Sequence, residues 1–194
     1  MSIRKALTSD LVRIARLHKE QFKDHFLGRY SEKVIQKFYE PFLDSCIFLV
    51  NESDGMINGF ILGGIRSDLI NARHTFLSCN KARYIAETLL TPSVYIMALK
   101  RLKMLRELKP QTPADDTALA QNYLLSIAVS EDAKGSGLAS ELLSGFEGHI
   151  CRTEYGLSVY SKNTRAINFY TKNGFKKTHD DSGTTYFSKI AGTN

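Results

Sequence analysis

The 194-residue sequence predicts a mixed α/β (α+β) domain around a central sheet, and three observations carry that expectation. Hydrophobic residues make up 43% and charged residues 24%, the balance of a globular chain long enough to bury a sizeable core. Short apolar runs of strand length alternate with stretches of helical periodicity. From Tyr123 onward the order reads strand, glycine turn, helix, strand, helix and two strands, which suits a sheet with helices packed on it. No repeat, low-complexity tract or boundary interrupts the chain, so residues 1–194 are read as one domain with a basic helical insertion at about 71–115.

Ile3 to Ala6 forms a short strand, after which Thr8 or Ser9 is expected to cap a helix carrying Leu11, Ile14, Ala15, His18 and Phe22 at helical spacing. Ser31 and Glu32 open a second helix with Val34, Ile35, Phe38 and Tyr39, and Pro41 marks its end. Cys46 to Val50 reads as a buried strand, and Asn51 to Gly55 turns it back into a second strand from Met56 to Gly64. The stretch from Asn71 to Ala120 is less regular. Within it, Pro92 and Ser93 suit a helix start, Tyr95, Leu99, Leu102 and Arg106 share a face, and Pro110 to Asp116 reads as a loop. Beyond Tyr123 come a strand, a helix to about His149, the strand Leu157–Tyr160 and a helix from Thr164 to Lys172 stopped by Asn173-Gly174. Phe175 onward and Thr185 to Ser188 give two last strands around the turn Asp181-Ser182-Gly183.

Composition narrows the function classes. No stretch approaches the ~20 apolar residues of a membrane span, and the first residues lack a secretory signal's apolar core, so a cytoplasmic location is expected. Cys46, Cys79 and Cys151 are odd in number and widely spaced, which favours reduced thiols over a disulfide framework. No Cys-x-x-Cys or His-x-x-x-His spacing points to a metal. The net charge of +6 is concentrated in Lys81, Arg83, Lys100, Arg101, Lys103, Arg106 and Lys109. Such a run is most simply a solvated helix face; no recognition helix, zinc finger or aromatic RNA-binding signature accompanies it, so nucleic acid has little support.

The segment from Leu124 to Ala139 reads as a buried strand, a turn with glycines at 135 and 137, and the first turn of a helix. A turn of this kind presents unpaired backbone N–H groups at the positive end of a helix dipole, which suits a phosphate. It is not a P-loop, because no Gly-Lys-Ser/Thr follows, and no third glycine completes a dinucleotide fingerprint. A second block downstream, Val159 to Phe175, contains Asn163, Ala166, Phe169-Tyr170 and Gly174-Phe175.

Together the two blocks resemble the GNAT family, the Gcn5-related N-acetyltransferases that use acetyl-coenzyme A. The family's pyrophosphate loop is commonly Arg/Gln-x-x-Gly-x-Gly/Ala after a strand; here Gly135, Ser136 and Gly137 match, and Leu138 continues into the helix. The family's Asn, Ala, aromatic-Tyr and Gly-Phe pattern is met by Asn163, Ala166, Phe169-Tyr170 and Gly174-Phe175. The resemblance is strong from about Tyr123 to Lys177. Asp132 departs from it, standing where the loop usually begins with Arg or Gln, and Lys134 is the nearest substitute for the lost positive charge.

The resemblance implies a mostly antiparallel, twisted sheet flanked by helices and splayed between the strand before the Gly135 turn and the strand after it. It implies acetyl-CoA as acyl donor, no metal, and direct transfer to a primary amine in a ternary complex. Ile127, Ala128 and Val129 would pair with the pantetheine arm, with an N–H of Ile127 or Val129 polarising the thioester oxygen. Lys134, Gly135, Ser136, Gly137, Leu138 and Ala139 would hold the pyrophosphate, Asn163 the cofactor arm, and Tyr170 would protonate the departing thiolate. Each role has a plainer counterpart: Tyr170 as core packing beside Phe169, Asn163 as a helix cap. No base stands in the strand before the loop; His25, Glu20 and Asp24 lie in the first helical region, where His25 is the expected acceptor-side residue. The acceptor is read as a small-molecule amine, such as an amino sugar or nucleotide sugar, or else a protein amine, handled by a monomer or homodimer. The alternative is a GNAT-fold module that binds acyl-CoA or a partner without turnover.

Overall fold

The computed structural model describes residues 2–90, 92, 94–96 and 120–192. Seven strands form one sheet in the order β1-β2-β3-β4-β5-β7-β6: β1 (Ser2–Lys5), β2 (Ile47–Ser53), β3 (Met56–Ile65), β4 (Asn122–Val129), β5 (Glu154–Tyr160), β6 (Lys176–Asp181) and β7 (Thr184–Ile190). Every pairing is antiparallel except β4 with β5. The first hairpin is tight: Asp54 and Gly55 both take positive φ, the backbone that a two-residue turn between twisted strands demands.

Helices α1 (Leu11–Gln21), α2 (Glu32–Tyr39), α3 (Phe42–Ser45) and α4 (Arg66–Leu90) share one face with Phe48, Val50, Phe60 and Leu62. On the other face α5 (Leu138–Ile150) and α6 (Thr164–Lys172) cover Leu49, Ile61, Leu124, Leu157 and Phe187. The strand residues alternate between these two cores, as the two-residue repeat of a pleated strand requires. None of the helices among the described residues is long and apolar enough to cross a membrane.

Two local expectations change. Neither Thr8 nor Ser9 caps α1; Thr8–Asp10 is a 3-10 turn, and the Asp10 carboxylate receives the Leu7 N–H at 2.9 Å. The region beginning at Asn71 is not irregular through Leu90, because α4 runs unbroken from Arg66. Its amphipathic signal is blurred: Leu69, Ala72 and Phe76 are buried, while Ile70, Leu77, Ile85 and Leu89 place apolar side chains on the outer face as well. Pro41 follows the end of α2 as expected, and the short helix α3 begins directly after it. Pro92, Val94, Tyr95 and Ile96 are helical, as the helix start at Pro92 requires, while the remainder of that helix, the loop after Pro110 and the cations Lys100 to Lys109 lie outside the described residues.

Asp10 ties the start of the sheet to α1. Its side chain is fully buried (0% exposed) and accepts from Arg4 at 2.6 and 3.0 Å and from Arg13 at 2.7 Å. Arg4 first, opposed by burial, holds the Asp10 carboxyl below the ordinary carboxylate range. The associated stability is therefore present above the unfolded pKa of about 4 and is lost as the pH falls through the lowered native value. Urea unfolding from pH 7 down to pH 2.5 should show this loss. Asp10→Asn should be less stable at pH 7 and should lose less on acidification; equal pH slopes for the two proteins would remove Asp10 from the account.

Candidate active site

The sheet opens at β4 and β5. Only Asn122 with Tyr155 and Tyr123 with Gly156 pair across these parallel strands. The Tyr123 hydroxyl bridges the base of the gap by donating to Ser158 Oγ at 2.7 Å. Above that point β4 still pairs with β3, and the sense of its amides follows from one bond: Ser130 N donates to Asn58 O at 2.7 Å. Amide direction alternates along a strand, so Ser130, Ala128 and Ser126 turn their N–H groups toward β3. Ile127 and Val129 turn theirs into the gap. An extra residue, Leu125, bulges from β4 between the pairs Leu62–Ser126 and Gly63–Leu124, and such a bulge bends the strand that carries it.

At the open end the chain turns sharply into α5. Gly135 (φ +84°) and Gly137 (φ +90°) are left-handed, and open space surrounds the position a Cβ would take at either. Backbone conformation, not crowding, therefore demands glycine here. Internal bonds use the N–H groups of Ala133, Lys134, Ser136 and Leu138, the last donating to Ser136 Oγ at 3.3 Å. Those of Gly135, Gly137 and Ala139 have no acceptor among the described residues. Three unpaired donors at a helix start make an anion cradle, the arrangement a pyrophosphate requires.

Lys134 does not stand there as a free cation. It pairs with Glu131, which it holds below the ordinary carboxylate range, and Gln21 and Arg165 also approach Glu131. The charge expected to replace the missing Arg/Gln is thus shared with an exposed carboxylate three residues before it. Asp132 is exposed.

Asn163 caps α6, its Oδ1 accepting from Ala166 N at 3.0 Å. Tyr170 projects from the same helix and is 6% exposed, in contact with Phe169, Phe175 and Phe187. No described residue hydrogen-bonds its hydroxyl. Burial first, and the nearby Tyr123 second, push this phenol above its ordinary range, so it holds its proton at neutral pH.

His25 lies in the loop after α1 rather than on the helix, which ends at Gln21 because Phe22 leaves helical geometry. That loop spans the gap. Helix α1 rests on β3 and β4, yet the His25 ring meets Tyr160, the last residue of β5, with centroids 5.0 Å apart. Phe22 also contacts His25, with ring centroids 5.1 Å apart, and His18 at 4.6 Å. Glu20 and Asp24 are exposed. His18, read from the sequence only as an apolar helix position, is a buried polar group: Nδ1 lies 2.7 Å from Tyr39 Oη, and Nε2 has no partner. Burial pushes its pKa down to about 3. The helical spacing gave its inward direction; its polar partner on α2 had no signal in sequence.

Residues 110–177 match the family model of the acetyltransferase (GNAT) domain. That stretch, which holds the glycine turn and Tyr170, is what the chain shares with the GNAT domain. Its fold matches the crystal structure of SsHAT with a TM-score of 0.72 at 20% identity, covering 99% of this chain and 98% of that one. It also matches the crystal structure of an acetyltransferase with a TM-score of 0.64 at 20% identity, covering 98% and 100%. A third match is the PaiA N-acetyltransferase of Thermoplasma acidophilum in complex with coenzyme A, at a TM-score of 0.57 and 18% identity over 97% and 98%. No curated protein matches the chain. The splayed, mostly antiparallel GNAT sheet expected from the two sequence blocks is the sheet observed.

Proposed function

We propose that this chain is a GNAT-type, acetyl-CoA-dependent N-acetyltransferase acting on a primary amine by direct attack on the thioester. The observation that carries the reading is the gap itself: β4 directs the amides of Ile127 and Val129 into it, beside a glycine cradle with three unpaired donors. In this reading β4, through Ile127, Ala128 and Val129, pairs with the amides of the pantetheine arm in the manner of an added strand. One of the gap-facing N–H groups polarises the thioester carbonyl and stabilises its oxyanion. Gly135, Gly137 and Ala139 bind the pyrophosphate through their N–H groups, and Lys134, Ser136 and Leu138 shape the loop. Asn163 uses its amide nitrogen for the cofactor arm while Oδ1 caps α6. Tyr170 supplies the proton to the departing sulfur.

Calorimetric titration with acetyl-CoA, followed by thiol release with glucosamine, ethanolamine, spermidine and a peptide with a free N-terminus, tests this. Binding with turnover on one of the amines is expected. Binding without turnover on any amine supports a non-catalytic acyl-CoA module, and no binding overturns the reading. Gly137→Val forces a β-branched residue into left-handed backbone at a cost of about 1–2 kcal/mol. The acetyl-CoA Kd should rise about tenfold with the circular dichroism of the fold retained. An unchanged Kd would remove the cradle.

A further inference from the structure

Two faces flank the gap, and they are not chemically equivalent. Tyr170 approaches from the face covered by α5 and α6. The opposite face is reached by the loop after α1, whose Phe22 and Phe26 pack into the α1/α2 core. On β5 the residues Tyr155, Leu157 and Val159 point to the α5/α6 side, so Tyr160 points to the α1/α2 side, where its ring meets His25. His25 and Tyr170 therefore stand on opposite sides of the opening into which Ile127 and Val129 direct their amides.

We propose that His25 is the general base of this site, taking a proton from the acceptor's ammonium on one side of the gap while Tyr170 serves the leaving thiolate on the other. The proposal rests on the acetyltransferase reading above. Three observations support it. No described residue hydrogen-bonds a nitrogen of the His25 ring, so a lone pair is available. The ring contacts both Phe22 and Tyr160, which positions it at the gap while leaving it half-buried. The titratable groups that face it are Asp24 in its own loop, His18 on α1 beyond Phe22, and Tyr160 on β5; burial outweighs Asp24 and keeps the imidazole neutral at pH 7.

The step balances as follows. His25 takes one proton from R–NH3+. The freed nitrogen lone pair forms the C–N bond to the carbonyl, and the gap-facing amide of β4 stabilises the resulting oxyanion. Collapse breaks the C–S bond; Tyr170 gives its proton to the sulfur and is restored by the second nitrogen proton of the adduct. The His25 imidazolium releases its proton to water, so one proton leaves per turnover.

The test is the pH profile of kcat/KM with the best acceptor of the amine panel, for the wild type, His25→Gln and His25→Ala. A base contributes typically about 10²–10⁴-fold. His25→Gln should lose about a hundredfold or more and the acidic limb of the profile, with acetyl-CoA affinity unchanged by calorimetry. Added imidazole should restore part of the His25→Ala rate. Tyr160→Ala should lower kcat and keep the acidic limb, because the base survives with looser positioning. Wild-type rates in His25→Gln alongside intact acetyl-CoA binding overturn the base and leave the acetyltransferase reading standing. Absence of binding or turnover in the wild type overturns both.

Discussion

Tyr170→Phe should lower kcat about a hundredfold or more while leaving acetyl-CoA affinity and thermal stability near those of the wild type. The substitution removes one hydroxyl from a ring whose packing against Phe175 and Phe187 is retained. That hydroxyl has no partner among the described residues, so no structural hydrogen bond goes with it. The phenol is held above its ordinary range by burial and then by Tyr123, which keeps it protonated. The same low-polarity gap raises the pKa of a thiol leaving within it, so donor and acceptor shift together. The measurement is steady-state thiol release beside calorimetric titration of acetyl-CoA. Unchanged kcat would return Tyr170 to the core and require another proton source.

The second large effect is on stability. Glu147→Ala should destabilise the protein by about 3–5 kcal/mol, the cost of leaving a buried charge without its partner. Glu147 Oε1 receives the Lys189 ammonium at 2.9 Å and the Tyr155 hydroxyl at 2.5 Å, and Oε2 receives Gly192 N at 3.1 Å. The Lys189 and Glu147 side chains are only 7% and 11% exposed, so water does little to screen the loss. Burial and then the Glu147 hydrogen bond push the Tyr155 phenol up, and it remains a donor throughout the neutral range. These contacts join α5, β5 and β7, the half of the sheet that carries Tyr160. The double variant Glu147→Ala/Lys189→Met should recover much of the loss, since it removes the stranded ammonium with its partner. Urea unfolding of both variants checks this, and a Glu147→Ala loss below about 1 kcal/mol would mean the pair is solvated in solution.

Legibility in the sequence follows the range of the forces involved. The caps Ser31 and Asn163, the glycine loop and the existence of strand β4 depend on near neighbours, and they read correctly. Helix α4 did not, because apolar residues on both its faces erase the periodicity that marks a helix, and only contact with α2, α3 and β3 selects its inner side. Lys134 was legible as a cation but not as a paired one. Its i−3 neighbour Glu131 was visible; the turn that brings the two together was not.

His25 shows the same division within the site. Its residue type and approximate position were visible, whereas its place depends on a loop crossing from β4 to β5, some 135 residues further along the chain to Tyr160. By itself the sequence determined the two motif blocks, the left-handed glycines and the phenol at position 170, because each is set by local backbone or by residue chemistry. The tertiary structure decided that the amides of Ile127 and Val129 stay unpaired by a neighbouring strand, and that Tyr170 and His25 stand on opposite sides of them. A gap between strands is a long-range property: it exists only where β4 and β5 part after two paired residues, and no local pattern specifies where that happens.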